Sequence, residues 1–565
     1  MDIHVIVGGA AGQGMDTLAG TLGKLLAHFG FGVLSARDYM SRIRGGHNFS
    51  ILRAADTTPW AFENRCDLLV CLDETTYLEH IPKLTEDGVF IFDPESFAPP
   101  GDRRGVEVPM KDLATEAGGR IMANTVALGA CLAVLDLPTT RAEEMLLEAF
   151  AHKEGVGEQN IGALRAGYDA VDGPALPVNM PEEGRAGGSR IFLEGNEVLG
   201  MSAAASGCRF FCAYPMTPAT GIMTYLAGIE DSGVVVEQAE DEIAAINAIL
   251  GASYTGARSM TATSGGGFSL MAEGISLAGM TETPAVIVLA QRPGPATGFP
   301  TRTDQGDLSF ALNVGHGEFP RPVLSATHHE DAFYRLNKAF DLADRFQTPV
   351  IFLSDQNFAD TARTVDEYDF SRLSCDQHLA DPAEVELPYR RYALTPDGIS
   401  PRALPGQLDS QVVLADSDEH DERGFIVEDA ATREAMMRKR MGKTSAIAEE
   451  MDEPLYHGPE EPEVLLVGWG STYGALREAR AVLEESGTNA GHLHFADIWP
   501  LRTDQLGELL AAAEVSYCVE ANYTGQFADL VRRETGWEFD HRVLRFDGRP
   551  FTPSDIIGEV SGDGK

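Results

Sequence analysis

The clearest sign of chemistry in this 565-residue sequence is an acidic residue on the apolar face of a predicted helix. The segment VVVEQAEDEIAAINAILG predicts a short strand and then a helix over residues 238–251, because apolar residues recur there at i, i+3 and i+7. Glu242 lies beside that apolar stripe, where an unpaired carboxylate costs free energy. Glu240 and Asp241 are first-turn acids of the kind that the helix dipole favours. For Glu242 the spacing alone leaves two interpretations open, a first-turn acid or a site residue.

Three further segments accompany this helix along the chain. They are YPMTPAT (residues 214–220), TSGGGFSLMAEG (263–274) and QRPGPATGFPTRTDQGDL (291–308). In order and spacing, the four segments resemble the alpha subunit of the 2-oxoacid:ferredoxin oxidoreductases, a family of thiamine-diphosphate, iron-sulfur enzymes. The resemblance covers nearly the whole chain. One departure is TSGGG, where the family more often has TSGPG; it changes the stiffness of a loop and affects no catalytic residue.

The resemblance implies a role for three candidate residues. Glu242 matches the glutamate that contacts N1′ of the thiamine aminopyrimidine and shares a proton with it. Thr217 of the YPMTP motif matches the threonine that hydrogen-bonds the substrate carboxylate. Arg292 of AQRPG matches the arginine that pairs with that carboxylate, a task suited to a planar, two-pronged donor. Taken singly, Thr217 suits a turn and Arg292 a surface position, but their coexistence with Glu242 favours a site.

The remaining site residues concern the cofactor. Tyr214, Gly265 and Gly266 are expected to shape the wall of the thiamine diphosphate site. Thiamine enzymes bind this cofactor between two sheet domains, and the second domain holds the diphosphate through Mg²⁺ with a GDG motif and a downstream asparagine. The only GDG here is residues 562–564, with no downstream partner. We therefore expect a pyrimidine-binding domain without a diphosphate-binding domain.

A second subunit is implied. The seven cysteines form no C-x-x-C pair and no run at ferredoxin-like spacing, so we expect no iron-sulfur cluster in this chain. Cys208 and Cys212 flank an apolar strand and are expected to be buried thiols. The resemblance implies a beta subunit that carries the diphosphate-binding motif and a [4Fe-4S] cluster, within an (αβ)₂ heterotetramer. Ferredoxin is the implied electron acceptor and CoA the co-substrate.

The segment RPGPATGFPTRTDQGD resembles the 2-oxoglutarate branch of the family, which implies 2-oxoglutarate as the substrate. The implied reaction is its oxidative decarboxylation to succinyl-CoA and CO₂. Pyruvate, or a broad range of 2-oxoacids, is the alternative within the same class. A different class is also open: a non-catalytic nucleotide-binding partner protein that kept the fold and lost the chemistry. The presence of Thr217, Glu242 and Arg292 argues against that alternative.

Alternation of strands and helices predicts an α/β protein of three domains. Residues 1–179 resemble the Rossmann-like gamma module of the family, and residues 190–378 the pyrimidine-binding domain. Residues 379–460 form a connector, and 461–565 resemble the transketolase C-terminal domain, whose usual role is to bury dimer surface. The polar stretch 180–189 is expected to be a linker. Within the connector, the basic helix over residues 433–443 is expected to expose a solvated face.

The glycine loop GGAAGQGMDT near the start of the gamma module fails both standard phosphate fingerprints. It lacks the third glycine of G-x-G-x-x-G, and Met15 stands where a P-loop needs lysine. An anion-binding helix terminus and a tight packing turn are both open. Further on, Arg44 to His47 form a turn before a strand, in which a structural hydrogen bond is the expected role of His47.

The net charge of −42, from 86 acidic and 44 basic residues, is spread along the chain. Salt screens such repulsion, since the Debye length falls to ~3 Å near 1 M, so we expect a halophilic cytoplasm. An ordinary acidic surface is the alternative. The absence of a basic stripe argues against nucleic acid as a partner. No apolar run reaches the ~20 residues of a membrane span, and the amino terminus lacks the basic flank of a secretory signal, so we expect a cytoplasmic protein.

Overall fold

A computed structural model describes residues 1–10, 12–40, 46–101, 103–181 and 190–562. The chain forms two compact units, Met1–Leu193 with Thr361–Glu367 and Glu194–Asp360 with Tyr368–Lys565. Of the predicted linker, residues 182–189 lie outside the described residues, as do Arg44 and Gly45 of the predicted Arg44–His47 turn. The predicted domain limits stay predictions. Among the described ranges, no helix combines the length and the apolar character that crossing a bilayer requires.

The first part of the chain alternates strands and helices as predicted. Its strands are β1 (Asp2–Ala10), β2 (Gly32–Asp38), β3 (His47–Ala55), β4 (Cys66–Cys71), β5 (Leu84–Phe92), β6 (Gly105–Glu107) and β7 (Arg190–Glu194). Its helices are α1 (Met15–His28), α2 (Glu74–His80), α3 (Met110–Ala117), α4 (Ala123–Val134), α5 (Thr140–Ala149) and α6 (Val156–Asp169). Short 3₁₀ turns lie at Ile81–Lys83 and Arg120–Met122.

The middle part contains the motif segments. Its strands are β8 (Phe210–Ala213), β9 (Val235–Gln238), β10 (Ser259–Thr263), β11 (Ala285–Gln291), β12 (Val323–Ser325), β13 (Pro349–Asp355) and β14 (Ala362–Asp366). Its helices are α7 (Gly195–Ala205), α8 (Thr220–Gly228), α9 (Glu242–Tyr254), α10 (Gly265–Met280), α11 (Leu308–Asn313), α12 (His329–Phe346), α13 (Gln356–Asp360) and α14 (Ala430–Glu450). A 3₁₀ turn lies at Phe370–Arg372.

The last part completes the second unit. Its strands are β15 (Leu455–His457), β16 (Val464–Trp469), β17 (Ala490–Phe495), β18 (Asp497–Trp499), β19 (Val515–Glu520) and β20 (His541–Leu544). Its helices are α15 (Tyr473–Glu485), α16 (Asp504–Ala512), α17 (Gln526–Thr535) and α18 (Pro553–Ser561), with a 3₁₀ turn at Gly470–Thr472.

The first unit is built on one mixed sheet of order β6-β5-β4-β1-β3-β2-β14-β7. Strands β1, β4, β5 and β6 run parallel, whereas β3 pairs antiparallel with both β1 and β2. Helices α1 and α4 cover one face of this sheet with a core that includes Leu22, Leu26 and Val126. The α/β class predicted for this part is confirmed.

The second unit contains two sheets, of order β18-β12-β13-β11-β10-β8-β9 and β15-β17-β16-β19-β20. In the first of these, strands β8 to β13 are all parallel. Strands β11 and β13 are buried over their full length, which is why their sequences read as nearly continuous apolar runs. Strand β18 pairs antiparallel with β12 and so joins the carboxy-terminal part to the seven-stranded sheet.

Helix α14 of the connector corrects one expectation. Its basic segment presents only part of its charge to solvent: Arg433 and Arg438 are exposed, whereas Lys439, Arg440 and Lys443 are buried. Lys439 and Lys443 both form ion pairs with the buried carboxylate of Glu282. Arg440 pairs with Glu419. The positive charges therefore fix the helix to the body of the second unit.

Candidate active site

The predicted site residues follow successive parallel strands. Tyr214 follows β8, Glu242 comes after β9, Gly265 follows β10 and Arg292 follows β11. Because these strands are parallel, their carboxyl ends lie at one edge of the sheet, where open α/β sheets bind ligands. The tertiary structure thus brings segments that are 78 residues apart in sequence, from Tyr214 to Arg292, to the same edge.

Glu242 is the first residue of α9 and is only 3% exposed. The helix starts four residues later than predicted, because Gln238 ends the strand and the Asp241 side chain accepts a hydrogen bond from the Ala244 amide at 2.7 Å. Asp241 is therefore the helix cap, as its residue type favours. Within the described part of the chain, Oε1 of Glu242 is buried and has no hydrogen-bond partner. A carboxylate oxygen in this condition is suited to a polar group of a ligand.

Gly267 makes room for that carboxylate. A Cβ atom at this position would lie 2.5 Å from Oε1 of Glu242 and 2.1 Å from Oγ1 of Thr263. Both separations are shorter than any van der Waals contact, so only glycine fits here. About two turns further along α10, Gly274 lies against Ile246 in the same way, which lets α9 and α10 approach closely. The third glycine of TSGGG is thus a requirement of the Glu242 position.

Arg292 and Thr217 contact each other. Nη1 of Arg292 donates a hydrogen bond to the backbone carbonyl of Thr217 at 2.6 Å. Burial lowers the pKa of Arg292, and the charge of Asp307 acts in the opposite direction. Arg292 and Thr217 are both partly exposed. A ligand at the sheet edge that carries Glu242 can therefore reach the guanidinium group and the threonine hydroxyl.

The other predicted site residues also lie at this edge. Tyr214 is 39% exposed. A Cβ on Gly266 would meet nothing within 4 Å, so this residue borders open space. Gly265 instead lies against the carboxylate of Asp307, whose Oδ2 would be 2.6 Å from a Cβ at that position.

Two acidic groups at this site were not predicted. Burial raises the pKa of Asp307 to about 6, and Arg292 only partly opposes this effect. Burial also raises the pKa of Asp304 to about 7, assisted by the charges of Asp307 and Asp355. The two closely spaced acids in TRTDQGD were the only sign in the sequence of these groups. Their burial could not be predicted, because this loop segment has no apolar periodicity. Perturbed carboxyl groups beside an arginine are typical of functional sites.

Cys208 and Cys212 are buried, as expected, and burial raises the pKa of both thiols. Cys375 is exposed.

Comparison with known proteins gives the family. Residues 201–439 match the thiamine-diphosphate-binding model of the pyruvate flavodoxin/ferredoxin oxidoreductases, and residues 4–170 match the model of the pyruvate ferredoxin/flavodoxin oxidoreductases. Subunit alpha of 2-oxoacid:ferredoxin oxidoreductase 2 from Aeropyrum pernix is 32% identical over 99% of this chain and 97% of its own length. The 2-oxoglutarate synthase subunit KorA from Archaeoglobus fulgidus is 34% identical over 66% of this chain and 98% of its own length.

A solved structure agrees with these relatives. The 2-oxoglutarate:ferredoxin oxidoreductase from Magnetococcus marinus, with 2-oxoglutarate, coenzyme A and succinyl-CoA bound, is 30% identical and superposes with a TM-score of 0.93 over 100% of both chains. The fold and the matched family models define an oxidoreductase subunit with a thiamine-diphosphate-binding domain. The chain belongs to the 2-oxoacid:ferredoxin oxidoreductase family, as an alpha subunit.

Proposed function

We propose that this subunit, together with a beta subunit, catalyses the CoA-dependent oxidative decarboxylation of 2-oxoglutarate to succinyl-CoA and CO₂, with the electrons passed to ferredoxin. The observation that carries the proposal is the buried Oε1 of Glu242, which lacks a partner in the described chain. The names of the Archaeoglobus and Magnetococcus relatives support 2-oxoglutarate as the substrate.

The residues present fit the pyrimidine half of thiamine diphosphate. The cofactor needs a carboxyl group at its aminopyrimidine nitrogen, and Glu242 offers a buried oxygen with no partner among the described residues, for which Gly267 makes room. When bound, thiamine diphosphate supplies the nucleophilic carbon and the electron sink for decarboxylation. Glu242 would hold or release the proton at its Oε1 that the pyrimidine nitrogen shares. We further propose that Mg²⁺ and the diphosphate are held by the beta subunit, which also carries the [4Fe-4S] cluster.

Thr217 and Arg292 are proposed to bind the C1 carboxylate that all 2-oxoacids share. The Arg292–Thr217 contact holds the guanidinium near the threonine and leaves its second edge available. Tyr214, Gly265 and Gly266 are proposed to form the cofactor wall. The partly exposed position of these groups requires another surface to exclude water during the reaction.

Apolar side chains next to the site support a partner subunit. Ile243, which follows Glu242, is 48% exposed, and Leu270 on the neighbouring helix α10 is 50% exposed. Exposed apolar groups around a site mark a surface that another protein covers. We propose that the beta subunit covers them in an (αβ)₂ heterotetramer in the cytoplasm.

The isolated chain is expected to be colourless and inactive. The cluster and the diphosphate site are proposed to belong to the beta subunit, so absorbance near 400 nm, iron and acid-labile sulfide should appear only in the complex. Purification of the chain with and without the beta subunit, followed by iron and thiamine analysis, checks this. Stoichiometric iron and sulfide on the isolated chain would overturn the subunit assignment.

Arg292→Lys should weaken all 2-oxoacid substrates by a similar factor. Lysine keeps the charge but loses the planar two-pronged geometry that matches a carboxylate. The ratio of kcat/KM for 2-oxoglutarate to that for pyruvate should stay near its wild-type value. A loss confined to 2-oxoglutarate would show that Arg292 binds the distal carboxylate. Arg302→Lys, in the same loop, is the matched control.

Two alternatives remain to be separated from this function. Pyruvate or broad 2-oxoacid specificity would appear when CoA-dependent reduction of a low-potential dye by the complex is compared across 2-oxoglutarate, pyruvate and branched-chain oxoacids. A non-catalytic nucleotide-binding role would appear as the absence of thiamine and iron from the co-purified complex, together with no dye reduction with any oxoacid.

A requirement for high salt is also proposed from the charge of −42. Screening lengths fall several-fold between ~0.1 M and ~3 M salt, so activity and assembly should be higher at the upper concentration. Activity and sedimentation measured across this range provide the test. Equal stability and activity at both ends would refute the halophilic assignment.

A further inference from the structure

Asp307 has the position of a helix cap but does not act as one. It directly precedes α11, and an aspartate at such a position normally accepts a hydrogen bond from a backbone N–H group in the first turn. The Asp307 side chain forms no such bond. Within the described part of the chain, its carboxylate has no hydrogen bond or ion pair with another residue either. The carboxylate is therefore available for a different task.

The side chain of Gln526 provides the cap that Asp307 does not. Its Oε1 accepts a hydrogen bond from the backbone N–H of Ser309 at 2.7 Å, in the first turn of α11. Its Nε2 donates to the backbone carbonyl of Gly306 at 2.7 Å. Gln526 begins α17 and lies 217 residues beyond Ser309 in the sequence. One amide from the carboxy-terminal part thus binds the backbone on both sides of Asp307.

The residue two positions before Asp307 is tied to the same part of the chain. Gln305 is 1% exposed. Its backbone N–H donates to the carbonyl of Ala521 at 2.6 Å, and its Oε1 accepts from the Ala521 amide at 2.9 Å. Its Nε2 donates to the carbonyl of Trp469 at 2.9 Å, and its own carbonyl accepts from Nδ2 of Asn522 at 3.2 Å. The loop that carries Asp307 is therefore fixed by contacts from outside the seven-stranded sheet.

These contacts place Asp307 close to Arg292. The backbone N–H of Asp307 donates to Oε1 of Gln291 at 3.1 Å, and Gln291 directly precedes Arg292 at the end of β11. The carboxylate lies against Gly265, at the start of α10. Burial lowers the pKa of Arg292 and raises that of Asp307, and the charge of each group opposes this effect on the other. The two groups thus interact electrostatically at the proposed substrate site.

Arg292 needs such a neighbour in order to be oriented. Among the described residues, its guanidinium group forms one hydrogen bond, to the carbonyl of Thr217. A long side chain with one contact keeps several rotamers, and fixing them when a ligand binds costs free energy. A negative charge fixed nearby favours the rotamers that face it and so reduces this cost.

We propose that Asp307 is a positioning residue for Arg292: its carboxylate holds the guanidinium group in the orientation that binds the C1 carboxylate of a 2-oxoacid. Gln526 frees the Asp307 carboxylate for this task by capping α11 in its place. The inference rests on the proposed function of Arg292. It gives the carboxy-terminal part of the chain a role in substrate binding.

Stabilisation of α10 is the competing role of Asp307. Gly265 begins this helix, and a carboxylate at a helix N-terminus is stabilising because of the helix dipole. In that case, loss of the carboxylate would lower Tm, and any effect on the substrate would not depend on Arg292.

Asp307→Asn in the complex with the beta subunit is the first test. The change keeps the shape of the side chain and removes its charge. For the 2-oxoacid that the wild-type complex turns over fastest, KM should rise about tenfold while kcat stays within about twofold, because the lost interaction acts on binding. A pH of about 8 is suitable, since a carboxyl group with a pKa of about 6 is then ionised. Tm and complex mass are measured on the same samples.

A double-mutant cycle with Arg292→Gln separates the two roles. If Asp307 acts through the guanidinium group, adding Asp307→Asn to Arg292→Gln should lower kcat/KM by less than about twofold further. Effects that multiply would mean independent roles and would overturn the proposal. A lower Tm with an unchanged KM in Asp307→Asn would assign the carboxylate to α10 and would overturn it too. A KM below that of wild type would have the same consequence, because the carboxylate would then compete with the substrate for Arg292.

Gln526→Ala tests the substitute cap. Without the amide, the N–H group of Ser309 loses its acceptor, and Asp307 occupies the position from which a side chain caps α11. Its carboxylate should turn to that helix, so KM should rise as in Asp307→Asn, and the double variant should be no worse than Asp307→Asn alone. Asp529→Asn removes an exposed carboxylate from the same helix and is the matched control, with a wild-type KM expected. A wild-type KM in Gln526→Ala would refute the proposed role of the cap.

The wild-type complex separates failure of this inference from failure of the proposed function. Absence of dye reduction with every 2-oxoacid would refute the function and the inference together. A wild-type complex that is active, with a KM that Asp307→Asn leaves unchanged, would refute the inference alone.

Discussion

The Glu242→Gln complex is expected to assemble with its beta subunit and to turn over at least ~10²-fold more slowly than the wild-type complex. Glutamine has the same size and keeps the helix start, whose cap is provided by Asp241. An amide, however, cannot share a proton with the pyrimidine nitrogen as a carboxyl group does. The measurement is kcat by dye reduction, with thiamine content and complex mass determined on the same sample.

Glu240→Gln is the matched control for this change. Glu240 lies two residues away in the same acidic run, and it is exposed. Its replacement removes the same charge from the same region and leaves the buried carboxylate of Glu242 unchanged. Turnover should therefore stay within about twofold of wild type, as for most exposed positions. Wild-type-like turnover in an intact Glu242→Gln complex would remove Glu242 from the mechanism.

The second large effect is expected from Gly267→Ala. The added methyl group would lie 2.5 Å from Oε1 of Glu242 and 2.1 Å from Oγ1 of Thr263, so one or both must move. A displacement of ~1 Å at a catalytic group costs about 10²-fold in rate, so we expect a loss of at least that size together with weaker thiamine binding. Steady-state kinetics and thiamine titration of the complex measure both effects.

Gly251→Ala is the control for a glycine in the same pair of helices. A methyl group at Gly251, in α9, meets nothing within 4 Å. Its activity should be unchanged, and the free energy of unfolding should rise by up to ~1 kcal/mol, because alanine favours a helix over glycine. Full activity of Gly267→Ala would show that the position of the Glu242 carboxylate is not set by this glycine.

Much of the fold could be predicted from local patterns. Apolar runs such as AVIVLA and TPVIFLS are typical of buried parallel strands, because a strand covered on both faces needs apolar residues at every position. Parallel strands in turn place the segments after β8 to β11 at one sheet edge, so Tyr214, Thr217, Glu242 and Arg292 were expected to share a site.

The basic helix of the connector shows where local patterns fail. A run of Lys and Arg predicts a solvated face, because an unpaired charge is costly to bury. The prediction fails where a neighbouring element supplies a carboxylate that pairs with the buried cations. The partner of Lys439 and Lys443 is Glu282, which is 157 and 161 residues away in the sequence. Periodicity within a helix carries no information about such a partner.

The sequence by itself determined the order of strands and helices, because these depend on residue types at short spacing. The resemblance of its motifs gave the family and the candidates Glu242, Thr217 and Arg292. Only the tertiary structure decided that Oε1 of Glu242 is buried, that Gly267 is required beside it, that Asp304 and Asp307 have raised pKa values, and that α14 turns its lysines inward. The physical reason is that burial and charge pairing are properties of surfaces that meet from distant parts of the chain, and no local spacing records which surfaces meet.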